Sequence, residues 1–247
     1  MNKIQHAWIN NKMALEESLT RIKEFLLDRY EDNLAGILLF GSANTGEFRQ
    51  GESDVDTMIF LKEQRELDTG EEIRFLIKSL KSERFATQYF HTLEGIVQHI
   101  KERKSFSVYI TMVGQGGSKT LYSTPEFEET REQLRKNPPS KKEIKKFIKE
   151  KDDFELDGYF RDIKNFELTK ALFAHLRRKL QVRNYFKTRE FIFDYNRCMN
   201  NLDLSENEKR ELHFLYDVYS KRKSLTETEV DKYCRLAKEF TDRIIEA

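Results

Sequence analysis

Apolar residues recur with two different periods along the chain, and the change from one to the other divides it. Leu15, Leu19, Ile22 and Leu26 fall at helical spacing and predict an amphipathic helix over residues 13–30. Residues 35–40 (AGILLF) then form a continuous apolar run, as expected of a strand covered on both faces. After a polar loop, residues 55–61 (VDTMIFL) predict a second strand. Ile73, Leu76, Ile77 and Leu80 share one face of a helix predicted over 70–82. A third strand is expected at 85–90 and a helix at 93–104. The alternating, β-branched stretch 106–113 (FSVYITMV) predicts a fourth strand. Helices and strands thus alternate to about residue 122, the pattern of an α/β unit.

Asn137-Pro138-Pro139-Ser140 is the strongest break. Ser140 is placed to cap a following helix, with Glu143 as its capping-box partner three residues on. Beyond it the period is helical throughout, over 153–183, 188–200, 205–220 and 226–245, with no convincing strand and no internal repeat. The expected architecture is an α/β (α+β) domain with a mixed sheet over residues 1–136, followed by an all-α helical bundle over 140–247.

Composition narrows the picture. Charged residues reach 35% of the 247, but 19 Phe, 10 Tyr and 1 Trp supply apolar bulk for a core, so disorder is excluded. A net charge of +1 by itself predicts no polyanion partner. Residues 1–135 hold 18 Lys/Arg against 22 Asp/Glu, and residues 136–247 hold 26 against 21, a mild skew that again suggests two units. No apolar run approaches the ~20 residues of a membrane span, and the N-terminus lacks an apolar signal core. A cytoplasmic protein with no membrane partner is therefore expected. Cys198 and Cys234 lie far apart and read as thiols rather than a disulfide, and no Cys/His cluster suggests zinc.

Candidate chemistry lies in Gly41-Ser42, eleven intervening residues, then Asp54-Val55-Asp56. A small residue at the end of a buried strand lets backbone N–H groups approach an anion, and a serine adds a hydroxyl donor. Asp54 and Asp56 flank one residue of a strand, so both carboxylates share a face while Val55 points to the core. Two carboxylates ~6–7 Å apart repel unless a cation lies between them. Magnesium, a hard cation held by carboxylates and substrate phosphates, is the natural occupant. Gly-Ser turns are common and Asp-x-Asp often sits in a solvated loop, but here the aspartates interrupt a run that continues as MIFL, where sheet propensity disfavours them.

The segments LLFGS and SDVDTMIF resemble the signature of the polymerase-β-like nucleotidyltransferase superfamily, and the element order over residues 13–122 is similar too. The helical second unit resembles, in architecture, the bundle that follows this domain in aminoglycoside (kanamycin-type) nucleotidyltransferases and their minimal relatives. The resemblance implies that Gly41 and Ser42 hold the triphosphate of ATP or another NTP, and that Asp54 and Asp56 are catalytic and bind Mg2+ or Mn2+. An acceptor hydroxyl would attack the α-phosphorus and release pyrophosphate, moving an NMP, expected to be AMP. The acceptor is open between a small molecule, a protein side chain and an RNA end, and so is a homodimer. The helical unit is expected to wall the cleft and select the acceptor.

That family usually draws a third carboxylate from a later strand. The expected strand 106–113 has none, and Ser107, Tyr109 and Thr111 occupy the face where it belongs. Glu94, or Glu155 or Asp157 from the helical unit, are the candidates. The alternative is a catalytically degenerate nucleotidyltransferase fold serving as a nucleotide-binding or antitoxin-like interaction module. Lys119, after the glycine-rich stretch Gly114-Gln115-Gly116-Gly117-Ser118, is a further candidate for a nucleotide phosphate. The lysines of residues 141–151 read as a solvated helix face, and His175 as a packed histidine. The spacing of Arg210 and His213 argues against a ribonuclease motif.

Overall fold

The computed structural model describes residues 3–45, 55–63, 85–101, 106–114 and 116–247. The helix expected over 70–82, Asp54 and most of the loop before it lie outside those residues. Two compact units divide at Pro138/Pro139.

The first unit is built on a four-stranded mixed sheet in the order β3-β2-β1-β4. Helix α1 (Lys3–Tyr30) leads into the central strand β1 (Leu34–Phe40), followed by the short helix α2 (Gly41–Thr45) and β2 (Val55–Leu61). β1 and β2 are antiparallel, whereas β3 (Phe85–Thr92) runs parallel to β2. Because helices cover both faces of the sheet, the apolar residues of β1 are almost all fully buried, which is why its sequence does not alternate. Leu19, Ile22, Leu26 and Tyr30 of α1 pack on Ile37, Leu39, Val55, Ile59 and Leu61, covering one face.

The other face is closed by α3 (Leu93–Lys101), α4 (Phe106–Val113) and α5 (Pro125–Lys136). Phe127 of α5 packs against Phe60 in a tilted arrangement, with ring centroids 4.8 Å apart, and lies against Gly36, where a Cβ would meet its ring at 2.7 Å. That position tolerates no side chain, so glycine in β1 is what lets α5 approach the sheet.

Residues 106–113 are a helix, not the expected fourth strand. Val108, Tyr109, Ile110, Thr111 and Met112 are all buried, so neither a period of two nor one of 3.6 marks them, and packing outweighs their β propensity. The last carbonyls of α4 are satisfied by one local bond and by two side chains beyond the helix. Gly114 N–H donates to Ile110 O (2.7 Å), Ser118 Oγ to Thr111 O (2.6 Å) and Arg131 Nε to Met112 O (2.9 Å). The fourth strand is instead β4 (Lys119–Ser123), an edge strand antiparallel to β1 with its exposed ends in water.

The second unit is helical: α6 (Lys141–Phe154), α7 (Asn165–Thr188), α8 (Tyr195–Asn201), α9 (Glu206–Ser220) and α10 (Glu227–Glu246). The Ser140/Glu143 capping box opens α6 as expected. The single helix expected over 153–183 is broken by a π turn (Glu155–Tyr159) and an extended Ile163–Lys164 junction before α7. α7 runs through the middle, with Leu172, Phe173, Leu176 and Leu180 in one core with Tyr233, Ala237 and Phe240 of α10. The lysines of α6 are partly structural: Lys141 Nζ and Lys145 Nζ donate to the terminal carbonyls of Ala247 and Ile245 at 3.3 and 2.8 Å, while Lys142, Lys146 and Lys149 are exposed. Both cysteines are free thiols, and burial pushes Cys198 up to about 12.

Candidate functional site

One end of the sheet gathers most of the residues to which the sequence pointed. β1 ends at Phe40, which is paired with Asp56 of β2, and β4 begins at Lys119, which is paired with Leu39. The chain leaves β1 through Gly41, with φ +68°, directly into Ser42 and α2. These register positions bring Gly41, Ser42, Asp56 and the backbone of Lys119 to one end of the sheet, with Lys119, opposite Leu39, on the α1 face and Asp56 on the other.

Asp56 and Gly41 are in intimate contact. A Cβ added to Gly41 would lie 2.1 Å from Asp56 Oδ2 and 3.1 Å from its Cγ. The left-handed backbone and the missing side chain are therefore both required, the first by the turn and the second by the carboxylate. Asp56 is half-buried, on the opposite face of β2 from Val55, which is completely buried under α1. Its hard oxygen donors, beside a glycine cradle, fit a divalent cation that also takes phosphate oxygens. No cluster of three metal-ligating side chains occurs among the described residues.

Residues 19–111 match a family model described as a nucleotidyltransferase domain. The first unit is a polymerase-β-like nucleotidyltransferase domain. The chain is accordingly an enzyme of this kind. A solved spectinomycin adenyltransferase from Enterococcus faecialis, crystallised with ATP and spectinomycin, shares the fold: TM-score 0.58, 16% identity, covering 93% of this chain and 98% of that one. No curated protein matches the sequence.

Within the nucleotidyltransferase domain the expected third carboxylate does not come from residues 106–113, since α4 is no strand and Tyr109 and Thr111 are buried. Nor is Glu94 placed for it. In the parallel β2–β3 pair Asp56 stands opposite Ala86 and Leu61 opposite Thr92, and Glu94 follows Thr92 in the first turn of α3. Five residues of strand, roughly 16 Å, separate the two ends, so Glu94 belongs to the far end of the sheet from Asp56. Thr92 instead caps α3, its Oγ1 accepting from Gly95 N–H at 2.9 Å.

Glu155 is held inside the helical unit. It receives hydrogen bonds from His175 Nδ1 and Arg178 and lies 3.5 Å from Lys151 Nζ. Burial would raise its pKa, but the His175 hydrogen bond and the Arg178 and His175 charges hold it down at about 2. Asp157 follows two residues later in the π turn.

That network is larger than the sequence suggested. His175 is packed, as expected, with Nε2 2.8 Å from Asp152 Oδ1, a contact poorly aligned for a hydrogen bond. Lys179, fully buried on α7, donates to Asp152 and to Thr241 of α10. Burial lowers the Lys179 pKa to about 8 against the opposing pull of Asp152. The three groups occur in separate helices, at positions 152, 179 and 241, and no local spacing connects them. A charged lysine on an otherwise apolar helix face was the signal available, and it is a weak one.

Asn44 has no distinguishing sequence signal. Its Nδ2 donates to Gly116 O at 2.8 Å, joining α2 to the turn that precedes Lys119.

Proposed function

We propose that the protein transfers AMP from ATP to a hydroxyl of a small-molecule acceptor, releasing pyrophosphate, with the end of the sheet around Asp56 as its catalytic centre. The reading rests above all on Asp56, set opposite Phe40 with its carboxylate against Gly41, in a domain whose family performs nucleotidyl transfer. The fold shared with an adenyltransferase solved with ATP and spectinomycin supports ATP as donor and a small hydroxylated molecule as acceptor.

In this reading Asp54 and Asp56 hold the divalent cation, magnesium or manganese, and Gly41 and Ser42 receive the triphosphate. A cation bound there neutralises charge on the phosphate oxygens. Gly41 contributes by absence, leaving room for both the carboxylate and a phosphate beside the backbone. Ser42 offers a hydroxyl donor and Lys119 an ammonium to the same polyphosphate. The acceptor oxygen attacks the α-phosphorus, the bond to the bridging oxygen breaks, and pyrophosphate carries away the electron pair. The acceptor's proton passes to a base outside the strands, since Asp56, the one acid in the four strand sequences, is committed to the cation and the one histidine, His91, stands opposite Phe60 toward the far end of the sheet.

The test is pyrophosphate release from ATP and Mg2+ with a panel of aminocyclitol and aminoglycoside acceptors, spectinomycin among them. Asp54→Asn and Asp56→Asn should each abolish release while leaving the thermal midpoint in metal-free buffer unchanged or raised, because a like-charge repulsion is removed. Undiminished release by Asp56→Asn, or no release with any acceptor, refutes the proposal.

A further inference from the structure

Lys119 lies on an edge strand just after a turn with glycines at 114, 116 and 117, a segment with every reason to be loose. Fixing one residue's backbone costs roughly 1–2 kcal/mol, and a ligand that had to order such a turn would bind correspondingly less tightly. The turn is instead tied down on three sides. Gly117 N–H donates to Gly114 O at 3.2 Å. Ser118 Oγ donates to Thr111 O at 2.6 Å, anchoring the far side of the turn to α4. Arg131 of α5 spans the start of β4, donating from Nε to Met112 O at 2.9 Å and from Nη1 to Thr120 Oγ1 at 3.2 Å.

The first of these ties is internal to the turn and the other two run to the body of the domain. The tie from Asn44 Nδ2 to Gly116 O runs elsewhere, to α2, the element that begins with Gly41 and Ser42. Gly116 itself has φ +73°, so its carbonyl is aimed by a backbone conformation that few other residues adopt at low cost. One side-chain amide therefore couples the Gly41-Ser42 turn to the segment that presents Lys119.

We propose that Asn44 is a positioning residue for the polyphosphate: by holding Gly116 it fixes Lys119 and the Gly41-Ser42 turn as one preformed clamp, selective for a nucleoside triphosphate over a monophosphate. The proposal rests on the nucleotidyltransferase reading above and adds the residue that joins the two halves of its phosphate site. Asn44 acts through Gly116 and touches no reacting atom.

Calorimetry with ATP and with AMP, each with Mg2+, tests it on the full chain. Asn44→Ala should weaken ATP by about fivefold, the equivalent of ~1 kcal/mol for one hydrogen bond, and leave AMP unchanged. Asn44→Asp, isosteric but unable to donate to a carbonyl, should weaken ATP at least as much, and Asn44→Gln should recover part of the loss. Because part of the amide's effect runs through Lys119 and part through the Gly41-Ser42 turn, adding Asn44→Ala to Lys119→Ala should weaken ATP by clearly less than the sum of the two single losses. Additive losses, equal losses for ATP and AMP, or wild-type affinity in Asn44→Ala would each overturn the clamp while leaving the transferase reading standing. A wild-type chain that bound no ATP at all would overturn both.

Discussion

Gly41→Ala separates the catalytic part of the site from its structural part. An alanine Cβ at this position would lie 2.1 Å from Asp56 Oδ2, whereas non-bonded heavy atoms are most comfortable near ~3.5 Å, so the carboxylate must retreat by roughly 1 Å or more. A short side chain at the edge of the sheet can make that retreat by rotating, so the overlap itself costs little stability. The backbone is less forgiving, because φ +68° in a residue with a Cβ costs ~1–2 kcal/mol. The thermal midpoint should accordingly fall by about 2–8 °C. Activity should suffer far more, since a displacement of ~1 Å in a catalytic group can cost ~10²-fold. Pyrophosphate release and a thermal melt on the same sample give both numbers. Gly158→Ala is the internal control, because a Cβ there meets nothing within 4 Å and neither readout should fall. If Gly41→Ala keeps release within about threefold of wild type, a ~1 Å placement of the Asp56 carboxylate is not what the reaction needs.

Two further outcomes concern the helical unit. Lys179→Met strands Asp152 without its buried cation and should lower the free energy of unfolding by ~3–5 kcal/mol in urea, while a further Asp152→Leu should restore part of the loss; a single variant as stable as wild type contradicts the pairing. Glu155, with a folded pKa of about 2 against 4.5 unfolded, contributes stability that is fully present above pH 4.5 and is lost as pH falls toward 2. That contribution is about 3 kcal/mol, so Glu155→Gln should flatten the acid limb of a stability-against-pH curve, and an unchanged limb would refute the assignment.

The strands at the core of the site were legible because their chemistry is local. β2 occupies the expected residues 55–61, and β1 extends the expected 35–40 by one residue. Asp56 stood out because an acid inside an apolar strand has few purely structural reasons to be there. The misreading of 106–113 has an equally physical cause. Sequence periodicity reports which side of an element meets water, and five successive buried residues from Val108 to Met112 carry no such record. β4 escaped notice for the opposite reason, since an edge strand of five residues with exposed ends carries too little apolar pattern to register.

Whether a third acid serves Asp56 is likewise decided by tertiary and not by local information. Glu94 was an attractive candidate in one dimension, close in sequence to a strand adjoining the one that bears Asp56. The parallel pairing of β2 and β3 removes it, because parallel neighbours begin at the same end and Glu94 lies beyond the finish of β3. A carboxylate placed to serve Asp56 from β3 would have to sit near Phe85 or Ala86, and the β3 sequence FATQYFHT contains none. General-base assistance worth ~10²–10⁴-fold therefore depends on a group other than a carboxylate of the sheet. A log–log plot of transfer rate against pH should then locate that group by its own pKa, and the break should persist in Glu94→Gln. Loss of the break in that variant would identify Glu94 as the base and refute its assignment to the far end of the sheet.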